Sequence, residues 1–246
     1  MTHQNDREGR AACLGILMLQ TRFPRIPGDI GNAATWPFPV QYRVVSAATA
    51  DGVVHGEVGT DLLEDFIAAG RALVAQGCDG IATSCGFMAP FQTHLRAALG
   101  VPVATSALLQ VPSIAQTLPK GRKVGILTIS AQSLRPDLLS RIGIAPDTPV
   151  QGTAETAHFT TQILTDQPSL DVAQARADNV NAAKALVAAH PDLGAIVLEC
   201  TNMVPYASDI RAATGLPVFS IYTYLQWFYA GLSPRVFPAD QTARQP

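Results

Sequence analysis

Cys85 and Cys200 each open a copy of the same 19-residue stretch. Residues 85–103 read CGFMAPFQTHLRAALGVPV and residues 200–218 read CTNMVPYASDIRAATGLPV, at a constant offset of 115 with no gap. Nine positions are identical, among them Met88/Met203, Pro90/Pro205, Arg96/Arg211, Gly100/Gly215 and Pro102/Pro217. Two copies of one unit can pack about a pseudo-twofold axis, which would set the two thiols face to face across a single cleft. One thiolate would then take a proton from carbon on one face, while the opposite thiol returns a proton on the other. Cysteine can be tuned to the near-neutral pKa that a general base needs. Such a pair inverts a stereocentre without a cofactor, and its near-equivalence suits a reaction that must run in both directions.

The elements around the cysteines place them where ligands bind. Strand and helix signals alternate from end to end, which predicts a parallel α/β organisation. Apolar runs at Leu14–Leu19, Gly80–Ser84, Lys123–Thr128 and Ala195–Glu199 read as buried strands, with Gln41–Ala47, Val101–Ala104 and Val218–Ser220 beside them. Thr60–Gln76 reads as a helix capped by Asp61 and stopped by Gly77, and Ala173–Ala189 as another. Pro90 and Pro205 are expected to open helices that end at Gly100 and Gly215, and Tyr222–Ala230 to form a terminal helix before a tail turned by Pro234 and Pro238. Each cysteine thus lies at the carboxyl end of a strand and ahead of a helix, where open α/β sheets hold ligands. A helix N-terminus stabilises a thiolate, so depressed thiol pKa values are expected. The pattern restarts after residue 105. It predicts two pseudo-symmetric Rossmann-like (flavodoxin-like) lobes, 1–105 with 219–246 and 106–218, and an active site in the cleft between them.

Composition narrows the function classes. The chain has 246 residues, 48% of them hydrophobic and 15% charged, with a net charge of -2. A field that weak argues against nucleic acid or an anionic membrane as partner. The early apolar run Ala11–Leu19 is too short to span a bilayer and lacks the flanks of a signal peptide, so a cytoplasmic protein is expected. Cys13, Cys78, Cys85 and Cys200 show no C-x-x-C spacing and read as free thiols, Cys13 and Cys78 as core. His55, His94, His158 and His190 have no metal-ligand spacing, and neither metal nor cofactor is expected.

Other positions divide between site and scaffold. The proline-rich segment Thr21–Pro39 suits no regular element and reads as an ordered functional loop. Arg22 and Arg25 on it are candidates to meet a substrate carboxylate. Arg96 and Arg211 fall in mid-helix and read as surface or packing residues. Glu199 would alternate to the far side of its strand, there to tune the thiol or to bond locally.

The chain resembles the aspartate/glutamate/hydantoin racemase superfamily over most of its length, most strongly at Thr83-Ser84-Cys85-Gly86-Phe87 and Glu199-Cys200-Thr201-Asn202-Met203. The resemblance implies that Cys85 and Cys200 are the two bases of a cofactor-independent racemase. It implies that Gly86, Phe87, Thr201 and Asn202 bind the substrate's α-carboxylate, that Thr128 and Ser130 contribute from the loop opening the second half and Gln20 from the end of the first strand, and that the protein is a homodimer. Glutamate racemases carry Asn-Thr after the first cysteine, Thr-His after the second and Asp-Ser after the first strand. Here those places hold Gly86-Phe87, Thr201-Asn202 and Gln20-Thr21, which argues against a glutamate racemase of the cell-wall type. The expected function is racemisation of an amino acid or related small carboxylate. Alternatives are a maleate-type cis–trans isomerase, a decarboxylase of the arylmalonate type, and a two-lobed binding protein without turnover.

Overall fold

The computed structural model describes residues 11–56 and 59–237. Two four-stranded parallel sheets follow one another along the chain. The first contains β1 (Leu14–Leu19), β2 (Val40–Val45), β3 (Gly80–Thr83) and β4 (Val103–Ala104), in the order β2-β1-β3-β4. The second contains β5 (Lys123–Thr128), β6 (Val150–Gly152), β7 (Leu193–Leu198) and β8 (Val218–Phe219), wound the same way as β6-β5-β7-β8. β1 is buried along its whole length and β5 everywhere but Lys123. Strands covered by helices on both faces read as continuous apolar runs, which is why LGILML and KVGILT stood out.

Parallel strands need crossovers, and helices supply them. α1 (Ala50–His55) and α2 (Thr60–Ala75) connect β2 to β3, and α3 (Gln92–Leu99) connects β3 to β4. α4 (Val111–Thr117) leads from one sheet to the other. In the second half α5 (Pro136–Arg141) precedes β6, α6 (His158–Leu164) and α7 (Val172–Ala189) follow it, and α8 (Ala207–Thr214) precedes β8. α9 (Ile221–Leu232) then returns to the first sheet: the Tyr229 hydroxyl donates to the Ala12 carbonyl at 2.7 Å, and Tyr229 stacks on Phe38 at 3.9 Å. The α/β class and doubled parallel sheets are those the sequence implies.

Several local expectations need correction. Pro90 and Pro205 do not open α-helices; each lies inside a 3-10 segment, Gly86–Phe91 and Thr201–Tyr206, from which α3 and α8 continue. A proline lacks an N–H, and the tight first turn accommodates it. Both helices do end on glycines in left-handed conformation, Gly100 at φ 67° and Gly215 at φ 72°. Gly59, not Asp61, precedes α2, and Asp61 sits in its first turn. The short elements α1, α4, α5, α6 and β6 had no clear periodic signal. Pro238 lies outside the described residues.

The Thr21–Pro39 loop is held by its own bonds. Trp36 Nε1 donates to the Ile30 carbonyl at 3.0 Å, and Asn32 Nδ2 to the Arg25 carbonyl at 2.8 Å. It also straps the halves together. Gly28, at φ 100°, lies against the backbone of Pro205, and a Cβ there would come within 3.0 Å of the Pro205 Cα. Arg22 pairs with Asp166 at 3.1 Å. Among the described residues, no helix is long and apolar enough to cross a membrane.

Candidate active site

The doubled units bring Cys85 and Cys200 to one inner cavity of about 20 Å³. Each follows the residue that leaves a central strand, β3 or β7, and each precedes a 3-10 segment. The local bonding is duplicated. The Met88 amide donates to the Cys85 carbonyl and the Met203 amide to the Cys200 carbonyl, both at 3.1 Å. Each thiol also receives the backbone N–H two residues on, Phe87 for Cys85 and Asn202 for Cys200. Both cysteines are only 8% exposed.

The environment reverses the expected direction of the thiol pKa values. Burial pushes the Cys85 thiol well up, the charge of Glu199 adds to this, and the Phe87 N–H and Arg25 only partly oppose it. Cys200 is raised by burial first and then by Glu199, with further increments from Cys85 and Asp29. A turn of 3-10 helix supplies one N–H to each sulfur, and the cost of burying a thiolate outweighs it.

The other sequence candidates fall into three groups. Gly86, Phe87, Thr201, Asn202 and Arg25 line the cavity with the thiols. Thr201 donates its hydroxyl to the Ser84 carbonyl at 2.8 Å, which ties the second cysteine's segment to the first's. Asn202 accepts from the Cys200 thiol at 3.6 Å and donates to Asp29 at 2.6 Å. Asp29 is in turn bound by Arg25 at 2.8 Å, and the Arg25 guanidinium lies 4.7 Å over the Phe23 ring. Thr128 is buried and gives its hydroxyl to Glu199 at 2.7 Å. Ser130 lines a separate, more open cavity of about 860 Å³ with Thr153, Asp178 and Asn181. Gln20 and Arg22 lie outside the inner cavity; Gln20 is exposed, and the Arg22 side chain is 69% exposed on Asp166. His158 accepts the Asp171 amide at 2.8 Å, away from both thiols.

Glu199 is the residue that sequence reasoning misplaced. It does not point to the far side of the strand. It is 1% exposed and lines the inner cavity between the two cysteine segments. Oε2 accepts from Thr128, while Oε1 has no hydrogen-bond partner among the described residues. A Cβ added to Gly86 would collide with Oε1 and with the Glu199 carbonyl, so the carboxylate packs directly on the residue after Cys85. Burial raises its pKa to about 7, with the Thr128 bond partly opposing the rise. The first half has Ser84 at this place, whose Oγ accepts the Leu19 amide at 3.0 Å. An acid at the end of an apolar strand and beside a cysteine was the available signal. Among the described residues, no three His, Cys, Asp or Glu side chains group closely enough to hold a metal.

Comparison with known proteins places this geometry in a class. No model of a known protein family matches the chain. A glycine-to-cysteine variant of arylmalonate decarboxylase shares its fold with a TM-score of 0.63 at 18% identity, over 89% of this chain and 92% of the other. The aspartate racemase of Picrophilus torridus does so with a TM-score of 0.54 at 13% identity, over 89% and 93%. The fold is the one that this decarboxylase and this racemase share. In sequence, the chain is 30% identical over 233 residues to a dimethylsulfoniopropionate lyase of Durusdinium sp. clade D, covering 92% of this chain and 77% of that protein. It is 32% identical over 229 residues to dimethylsulfoniopropionate lyase 7 of Emiliania huxleyi, covering 89% and 67%. The chain belongs to the family of the dimethylsulfoniopropionate lyases.

Proposed function

We propose that the protein is a cofactor-independent lyase acting on dimethylsulfoniopropionate or a close β-sulfonio carboxylate. A cysteine thiolate takes the α-proton, the Cα–Cβ double bond forms, and the β-carbon–sulfur bond breaks. Dimethyl sulfide leaves with the bond's electron pair, and the products are dimethyl sulfide, acrylate and one proton, now on the thiol. Racemisation and this elimination begin with the same event, removal of a proton next to a carboxylate. They part only afterwards, according to whether carbon is reprotonated or a β-substituent departs.

The observation that carries the reading is a pair of thiols on one cavity in a chain this similar to lyases. The cavity walls support it. A sulfonium cation suits the Phe23 and Phe87 rings, since aromatic faces attract onium groups. The substrate carboxylate is assigned to Arg25 and to the backbone amides after each cysteine. Arg25 favours a thiolate at Cys85 and Asp29 disfavours one at Cys200, so Cys85 is the base and Cys200 stays protonated opposite it. In this reading residues 1–105 with 219–246 form one wall of the site and 106–218 the other.

Headspace chromatography of enzyme with dimethylsulfoniopropionate tests the activity. Release is expected from the wild type, and Cys85→Ser is expected to lower it at least ~100-fold, the scale of a lost general base. Unchanged release from Cys85→Ser would remove Cys85 from this role. The near-symmetry of the two thiols favours a second reading, amino-acid racemisation. Deuterium appearing at the α-carbon of a single-enantiomer amino acid in D2O, without dimethyl sulfide release from the sulfonium compound, would establish it instead.

A further inference from the structure

A two-base racemase gives carbon one proton from the opposite thiol for each proton it removes, so the pair of thiols holds the same number of protons before and after the reaction. A lyase keeps one proton per turnover and must deliver it to water before the base can act again. The two halves of this protein are near copies at the cysteines but differ at the residue before them, Ser84 in one and Glu199 in the other. Glu199 follows β7 directly, and its backbone amide is fixed to the Leu127 carbonyl at 2.8 Å. Its carboxylate is adjacent in the chain to Cys200 and packs on Gly86, next to Cys85. One of its oxygens is buried without a hydrogen-bond partner among the described residues.

We propose that Glu199 is the proton relay of the site, taking the thiol proton of Cys85 when substrate binds and passing the proton gained in each turnover to solvent. This rests on the lyase reading and explains why a symmetric scaffold carries one asymmetric carboxylate. The steps balance. Cys85–SH and Glu199–COO⁻ become Cys85–S⁻ and Glu199–COOH. The thiolate takes the α-proton as dimethyl sulfide leaves. Glu199–COOH then releases its proton to water, and the regenerated carboxylate can ionise the thiol again.

The surroundings fit this traffic. Among the described residues, the ionisable groups that line the inner cavity with Glu199 are the two thiols and Arg25, which is bound to Asp29. Thr128 holds Oε2 and receives the Ser130 amide at 3.3 Å. Ile129 and Ser130, the next two residues after Thr128, line the outer cavity. A carboxyl that titrates near neutrality can both accept and release a proton at working pH, which a carboxyl at 4.5 would do poorly.

The test is the pH dependence of dimethyl sulfide release by the full chain and its variants. The wild type should show kcat rising with pH through an apparent pKa near that of Glu199, about 7. Glu199→Gln should lower kcat ~100-fold or more near neutral pH. The deficit should shrink as pH rises, because hydroxide replaces the carboxylate in ionising the thiol. Glu199→Asp should restore the limb in part. Thr128→Val, which removes a bond that lowers the Glu199 pKa, should move the limb to higher pH and keeps the test open if the Gln variant does not fold. A deficit in Glu199→Gln that is the same at every pH, or an unmoved limb in Thr128→Val, would overturn the relay while leaving the lyase reading intact. A wild type that releases no dimethyl sulfide would overturn the lyase reading and the relay with it.

Discussion

At the residue scale, the proposed chemistry depends on three ionisable groups held almost out of water, Cys85, Cys200 and Glu199. Glu199 makes this measurable in the stability of the protein. The folded chain holds its proton up to about pH 7 and the unfolded chain only to about 4.5, so protonation favours the folded state. That contribution is whole below pH 4.5 and lost by about pH 7, and its full size is roughly 3 kcal/mol. Titration of unfolding free energy against pH is expected to show the wild type losing stability relative to Glu199→Gln across this window. Parallel curves would mean that Glu199 titrates as an ordinary exposed acid. The doubling exposed Cys85 and Cys200 because identity at a fixed offset is a property of the string. It hid Glu199, because a residue that differs between copies looks like noise, and because period-two alternation fails once β7 ends at Leu198.

At the element scale, the site is made by two 3-10 segments meeting end to end rather than by two helix dipoles. Gly86 is the contact point, and only hydrogen fits there because both the carboxylate and the main-chain carbonyl of Glu199 press on it. Gly86→Ala is expected to destabilise the fold by ~1–3 kcal/mol, the usual cost of overpacking, and to reduce activity more than stability alone explains. Chemical denaturation alongside the release assay checks this, and an unaffected variant would show that the segments can part freely. The long elements β1, β5, α2 and α7 were legible because each has an uninterrupted pattern. The short ones were not: α1 and α6 are too brief for periodicity, and tertiary contacts alone define them. Ser130 and Gln20 were assigned to the site by resemblance, yet neither lines the thiol cavity.

At the scale of the whole molecule, the proposed reaction requires the inner cavity to open. The inner cavity, about 20 Å³, cannot admit a propionate unless it widens, since ligand sites hold roughly 300 Å³ or more. α1 from the first half and α6 from the second meet over it, contributing Ala50 and Val54 against Ile163 and Leu164. Ile129 and Leu164 face both this cavity and the outer one, so they form the partition between them. Iodoacetamide labelling of Cys85 and Cys200 in the wild type is expected to be slow at neutral pH, because the thiols are buried and protonated. Leu164→Ala should speed labelling at these two sites and leave Cys13 and Cys78, which are buried 3.9 Å apart elsewhere in the fold, unchanged. Equal acceleration at all four would indicate general loosening instead of a gate.

The most direct measurement is the product balance from dimethylsulfoniopropionate in D2O. Dimethyl sulfide and acrylate are expected in equal amounts, with no deuterium in unreacted substrate beyond what a reversible first step allows, and with both products lost in Cys85→Ser. Substrate that takes up deuterium and is recovered intact, with neither product formed, would show thiols that exchange a proton but expel nothing, and would contradict the lyase account.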